Sequence, residues 1–266
     1  MRDMDVMILC GGKGTRIRDV SELMPKPMLP IGGKPILWHI MKNYAHFGYK
    51  NFILCLGYKG NTIKEFFLNY RPFTEDIAVS LGTADLGSHI EFLEKTPRDD
   101  WNVVLAETGD ESYTGDRVKT ASKYVKGETF MLTYGDGVGN VDIAALMDFH
   151  RSHGKMATVT GVHPPGRFGE LATDGESVTE FNEKPQVMEG LINGGFFVIN
   201  REFIERYMNY PSPLALEEEP MRQCAADKEM CVYVHEGFWQ PMDTMREYNM
   251  LNDLWASGDS PWQFSV

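Results

Sequence analysis

The sequence predicts an α/β fold: a Rossmann-like mixed sheet flanked by helices, with a smaller, strand-rich second half. Three observations lead there. Short apolar runs alternate with longer amphipathic stretches through the first half of the 266 residues, as strands do with crossover helices. The first apolar run ends in a glycine-rich loop, the place where open α/β sheets put ligands. Beyond residue 150 strand-like runs become denser. No internal repeat, low-complexity tract or linker interrupts the pattern. The reading is therefore one domain over 1–266, with halves of about 1–150 and 151–266 across a cleft.

Taken in order, Val6-Met7-Ile8-Leu9-Cys10 is apolar on both faces, as a buried parallel strand is, and stops at Gly11. Pro25-Lys26-Pro27-Met28, followed by Pro30 and Pro35, predicts an extended, restricted segment, because proline cannot continue a helix. Apolar spacing predicts helices over 36–44 and 62–70 around a buried strand at 52–56. The stretch 72–98 is weakly patterned, with strands expected near 77–81 and 90–94 and another at 103–106. A helix over 116–124 precedes an apolar strand at 130–134, which ends in Gly135-Asp136-Gly137. Ile143, Leu146, Met147 and His150 share one face of a helix over 141–152. Strands are expected at 157–162, 178–181, 196–199 and 231–234, and helices at 214–226 and 244–256.

Composition narrows the partners. A net charge of −12 would repel a phosphate backbone over most of the surface, so nucleic acid and anionic membranes are excluded as partners. An anionic ligand must enter through a local basic pocket. The start, Met1-Arg2-Asp3-Met4-Asp5, is charged, and neither a secretory signal nor an apolar run of membrane-spanning length is present. The expected location is the cytoplasm, with Cys10, Cys55, Cys224 and Cys231 reduced and mostly buried. Neither G-x-S-x-G nor H-E-x-x-H occurs, and no histidines cluster at metal-ligand spacing; His39 and His46 read as packing or surface residues.

The strongest local feature is Leu9-Cys10-Gly11-Gly12-Lys13-Gly14-Thr15-Arg16. Three glycines in four positions let backbone N–H groups face an anion, and Arg16 adds a fork of donors suited to phosphate. A plain glycine turn has the same glycines; the basic residues favour the anion. Lys26, held between prolines, loses less freedom on engaging a ligand than an ordinary surface lysine. Asp136 at a strand end, between glycines, suits a hard cation or an Asx turn. Asp243 precedes a helix in which Thr244 and Glu247 already form a capping box. Glu183-Lys184 and Asn193 beside paired glycines suit a phosphate and hydroxyls, or simply a long β connection. Thr114 and Arg117 stand near a helix start, as a hydroxyl and a guanidinium for a ligand or as cap and surface charge.

Together these segments resemble the sugar-1-phosphate nucleotidylyltransferases, in which G-G-x-G-T-R opens the first strand–loop unit, and more narrowly the glucose-1-phosphate cytidylyltransferases. Gly32–Met41, Thr133–Val138, Pro164–Gly169, Ile192–Phe197 and Trp239–Thr244 carry the match across nearly the whole chain. The resemblance implies that CTP and glucose 1-phosphate give CDP-glucose and pyrophosphate with Mg²⁺. It implies that Leu9, Cys10, Gly11, Gly12, Lys13, Gly14, Thr15 and Arg16, with Lys26, Thr114, Arg117 and Gly135, bind the nucleotide in the first half. Arg16 and Lys26 would be catalytic, neutralising the departing pyrophosphate. Asp136 and Asp243 would hold the metal, and Glu183, Lys184 and Asn193 the sugar phosphate in the second half. The family tends to form homo-oligomers, for which Trp101, Trp255 and Trp262 could supply an apolar patch.

The chemistry suits these residue types independently. A phosphomonoester with a second pKa of about 6 is already anionic near neutrality, so its attack needs no general base. Three positions depart from the family pattern: Cys10 for alanine, Asp116 for a second glycine, and Glu170 for a small residue. Asp116 and Glu170 bear on acceptor choice, leaving another sugar 1-phosphate or a non-sugar phosphate or phosphonate as the alternative acceptor. A catalytically silent nucleotide-binding regulator is the alternative of a different class.

Overall fold

The computed structural model describes residues 2–12, 24–82, 88–93, 99–164, 170–174, 177–182 and 190–264. Strand β1 (Arg2–Leu9) opens the chain; a 3-10 turn over Lys26–Met28 leads into β2 (Pro30–Ile31) and β3 (Lys34–Pro35). Helix α1 (Ile36–His46), β4 (Tyr49–Leu56), α2 (Gly60–Leu68), α3 (Tyr70–Thr74), the antiparallel pair β5 (Ile77–Leu81) and β6 (Ser88–Phe92), and β7 (Asn102–Glu107) follow. Then come α4 (Thr114–Ala121), β8 (Thr129–Tyr134), β9 (Gly137–Gly139), α5 (Ile143–His153), β10 (Ala157–Val162) and the pair β11 (Glu170–Asp174) and β12 (Ser177–Asn182). The chain continues through β13 (Ile192–Asn193), β14 (Phe197–Asn200), α6 (Glu202–Tyr207), α7 (Glu219–Ala226), β15 (Met230–His235), β16 (Trp239–Pro241) and α8 (Met245–Ser257).

One sheet organises the molecule. Its order is β7-β4-β1-β8-β14-β10-β15, parallel except for β14. β13 pairs with β10 on the edge that β14 also uses, so residues 192–200 form one strand interrupted at 194–196. Strands of the second half thus extend the sheet begun by the first. Alternation along β1 decides which side chain meets which layer: Val6 and Ile8 pack with Ile36, Ile40 and Tyr44, whereas Met7 and Leu9 pack with Val118, Ala121 and Phe203. Val6, Met7 and Ile8 are fully buried, and each such side chain contributes about 1.5–3 kcal/mol.

Three expectations change. The proline segment is extended at Pro25, at Leu29 and in β2 and β3, but Lys26–Met28 makes a 3-10 turn, because Pro27 falls in its first turn, where a missing N–H costs nothing. The helix expected over 214–226 begins only at Glu219. Pro220 lies in its first turn, and upstream amides bond elsewhere: Leu214 N–H donates to Asp116 and Leu216 N–H to Thr114. The tryptophans form no apolar surface patch: Trp262 is buried, and Trp101 and Trp255 pack against the main core. The expected capping box at Thr244 and Glu247 is present, and Asp142 and Gly154 cap the two ends of α5. All four cysteines are free thiols, three of them buried. Among the described residues no helix is long and apolar enough to cross a membrane.

Candidate active site

Residues far apart in sequence meet beyond the C-terminal ends of β1 and β8. Gly135 N–H donates to Leu9 O at 3.0 Å, seating the end of β8 against β1. β9 pairs with β16, aligning Gly137 with Pro241, and Met242 N–H donates to Asp136 O at 2.8 Å. This ladder brings Asp243 beside Asp136. Thr244 caps α8 and Glu247 takes the N–H of Asp243, so the helix start is satisfied without the Asp243 carboxylate.

Lys26 closes the constellation. Its ammonium donates to Asp136 Oδ2 at 2.7 Å and to Asp243 Oδ1 at 2.5 Å, and the residue is only 8% exposed. Burial disfavours the charged amine, but the two carboxylates outweigh it and hold the Lys26 pKa above the ordinary lysine range. A cavity of about 740 Å³ opens over this cluster. Among the described residues its wall includes five carboxylates (Asp110, Glu111, Asp136, Glu217 and Asp243) and the cations Lys26 and Arg117.

Arg117 borders the cavity, yet its donors go to protein. Nη1 donates to Leu56 O, Thr108 Oγ1 and Gly109 O, and Nη2 to Gly11 O and Asp110 O. Burial lowers its pKa, though the group stays charged. The guanidinium therefore clips the glycine loop to the ends of β4 and β7. This explains Gly11: a Cβ there would lie 2.1 Å from Arg117 Nη1. Gly12 borders the cavity, whereas Cys10 is fully buried beneath the loop, with its N–H on Cys55 O. Burial pushes the Cys10 thiol pKa up, so it is an inert packing group.

Thr114 lines the cavity and binds Glu217; Asp116 does not line it. The Asp116 carboxylate takes hydrogen bonds from Tyr113 N–H, Leu214 N–H and Ser212 Oγ, which overcome burial and lower its pKa. It anchors the 212–216 segment to α4. Asn193 lies at the break between β13 and β14, where Gly195 has φ +76° and Phe196 φ +49°. Its Oδ1 accepts from Gly195 N–H and its Nδ2 donates to Tyr134 Oη. Lys13, Gly14, Thr15, Arg16, Glu183 and Lys184 lie outside the described residues, as does the side chain of Glu170.

Among the described residues no group of three or more His, Cys, Asp and Glu could hold a metal; Asp136 and Asp243 are a pair sharing one cation, Lys26. Tyr134 and Glu217 are cavity residues that sequence reasoning missed. Tyr134 ends an expected apolar strand and Glu217 falls within the helix expected over 214–226, so neither carried a local signal.

The family model described as Nucleotidyl transferase matches residues 5–252. Glucose-1-phosphate cytidylyltransferase of Salmonella typhi is 46% identical over 261 residues, covering 98% of this chain and 99% of the relative. A Bacillus subtilis protein named probable glucose-1-phosphate cytidylyltransferase is 40% identical over 260 residues, covering 98% and 99%. The fold is similar to the crystal structure of HddC from Yersinia pseudotuberculosis, with a TM-score of 0.65, 23% identity, and coverage of 95% and 99%. The chain belongs to the nucleotidyl transferase family, and its sequence groups there with the glucose-1-phosphate cytidylyltransferases.

Proposed function

We propose that the protein transfers a cytidylyl group from CTP to glucose 1-phosphate, releasing pyrophosphate and forming CDP-glucose. The observation that carries this reading is the 46% identity, over nearly the full length of both chains, to a relative of that name. The cavity supports it: about 740 Å³ falls in the range of small-molecule sites, and Lys26 lies in its wall.

A phosphate oxygen of the sugar phosphate attacks the α-phosphorus of CTP. A new P–O bond forms there, and the bond to the oxygen bridging the α- and β-phosphorus breaks, pyrophosphate taking the electron pair. The nucleophile is already ionised, so the protein needs no general base; it must align two anions and stabilise the leaving group. Lys26 and Arg16 donate to the leaving pyrophosphate. Leu9, Gly11, Gly12 and residues 13–16 cradle the triphosphate, with Thr114 and Gly135 on the nucleotide, and Cys10 packs behind them. Arg117 acts from below, holding Gly11 in place. Glu183, Lys184 and Asn193 hold the sugar phosphate.

Five carboxylates in the wall oppose an incoming triphosphate, which argues for a divalent cation as cofactor. Asp136 and Asp243 fit Mg²⁺: both are hard oxygen donors, and both already converge on one positive centre at 2.7 and 2.5 Å. Bound Mg²⁺ would neutralise phosphate charge. A soluble cytoplasmic enzyme with no nucleic-acid or membrane partner accords with the charge of −12. Exposed Leu68, Phe73 and Leu81 support assembly into a homo-oligomer.

Pyrophosphate release measured with Mg²⁺, glucose 1-phosphate and each nucleoside triphosphate in turn tests the proposal. CTP should exceed the others by at least about tenfold, a 1.4 kcal/mol preference. Release that requires a different phosphate acceptor would displace glucose. Binding of CTP without release under any pairing would favour a silent regulator.

A further inference from the structure

Glu217 occupies a singular place in the cavity wall. Its two carboxylate oxygens are held by two neutral hydroxyls: Tyr134 Oη donates to Oε1 at 2.7 Å, and Thr114 Oγ1 donates to Oε2 at 2.6 Å. Both supports are themselves fixed, Tyr134 by Asn193 Nδ2 at 3.0 Å and Thr114 by Leu216 N–H at 2.9 Å. The residue is nevertheless exposed, and it borders the same cavity as Lys26 and Asp136. Neutral donors leave the carboxylate its charge, and each oxygen keeps a second lone pair.

An oriented carboxylate can only accept, so its complement is a ligand rich in donors. Phosphate is excluded by charge. A hexose offers adjacent hydroxyls, each able to donate, at a spacing that a carboxylate can accept in pairs. Position favours the sugar as well. Glu217 borders the same cavity as Asp136, and through Tyr134 its network reaches Asn193, a residue of the proposed sugar site, at the glycine break in the strand of residues 192–200.

We propose that Glu217, braced by Tyr134 and Thr114, is a specificity-determining residue that accepts hydrogen bonds from hydroxyls of the acceptor sugar. The inference rests on the reading of the acceptor as glucose 1-phosphate and adds a residue to that site.

The test compares wild type with Glu217→Ala, Glu217→Gln and Tyr134→Phe, using glucose 1-phosphate and its 2-, 3-, 4- and 6-deoxy analogues. Glu217→Ala should lower kcat/KM for glucose 1-phosphate by about 10–100-fold, as loss of a hydrogen bond to a charged group does, with KM for CTP within about twofold. One deoxy analogue should cost the wild type about as much and cost Glu217→Ala nothing further. Tyr134→Phe should lose less, because Thr114 still holds the carboxylate. Identical deoxy penalties in wild type and Glu217→Ala would overturn the proposal. So would a loss confined to KM for CTP or to the choice of CTP over UTP, since that outcome assigns Glu217 to the amino group of the base. A wild type inactive with CTP and glucose 1-phosphate would fault the reaction itself. Calorimetric binding of glucose 1-phosphate in the presence of CTP then decides Glu217: weaker binding to Glu217→Ala supports the role, and equal binding removes it.

Discussion

At Lys26 one ammonium satisfies two carboxylates, one from the middle of the chain and one from near its end. Replacing it with methionine removes the ammonium that Asp136 and Asp243 share. Because the side chain of Asp136 is 38% exposed, the cost falls below that of breaking a fully buried pair, at about 1–3 kcal/mol. Thermal melts of Lys26→Met should therefore show a lower Tm, and added Mg²⁺ should raise it more than in wild type. A Tm insensitive to Mg²⁺ would count against the two aspartates as its ligands. Asp116 calls for a different expectation. Its carboxylate accepts from α4 and from the 212–216 segment, outside the cavity wall. Asp116→Ala should lower stability by about 1–2 kcal/mol in urea melts and leave the ranking of nucleotides unchanged. A reordered ranking would return Asp116 to the substrate site.

The elements act mainly by presenting ends. Strands β1 and β8 stop side by side, and the loops that leave them carry Gly11, Gly12 and Asp136. Arg117, from the first turns of α4, ties the loop after β1 to the turn after β7. Gly11→Ala should expel that guanidinium, because the added Cβ would lie 2.1 Å from it. Both CTP affinity and Tm should then fall, by at least about tenfold and about 2 kcal/mol respectively. Unchanged CTP affinity would show that the clip does not position the loop. β1, β4 and β8 were legible in sequence because buried parallel strands are continuously apolar. The 214–218 stretch was not: its helical spacing is genuine, but Thr114 and Asp116 capture its amides from a hundred residues away. Single-sequence patterns hold no record of such a tertiary bond.

On the scale of the whole molecule, one sheet spans both halves and sets the cavity at the strand ends. The motifs named the Lys26, Asp136 and Asp243 residue types, but only the fold shows them touching, and only the fold adds Tyr134 and Glu217. Outside the cavity wall a second buried group has its own chemistry. His39 is buried against Trp255 and Trp262, its Nε2 paired with Ile31 O and its Nδ1 accepting from Trp262. Burial lowers its pKa from 6.5 to about 4. Unfolded chains take up this proton near pH 6.5 and the folded one near 4. The stability that neutral His39 confers is thus complete above 6.5 and declines as pH falls toward 4, by up to about 1.4 kcal/mol per pH unit. Urea melts across that window should be steeper in pH for wild type than for His39→Gln, and equal slopes would contradict the assignment.

The most direct test of the reactive centre is turnover by Asp136→Asn. This variant keeps the size of the side chain, retains an acceptor for Lys26, and removes one negative charge. With CTP, glucose 1-phosphate and saturating Mg²⁺, pyrophosphate release should fall by at least about a thousandfold while circular dichroism and Tm stay near wild type. A folded Asp136→Asn protein that releases pyrophosphate within about tenfold of wild type would place the chemistry elsewhere than at Lys26, Asp136 and Asp243.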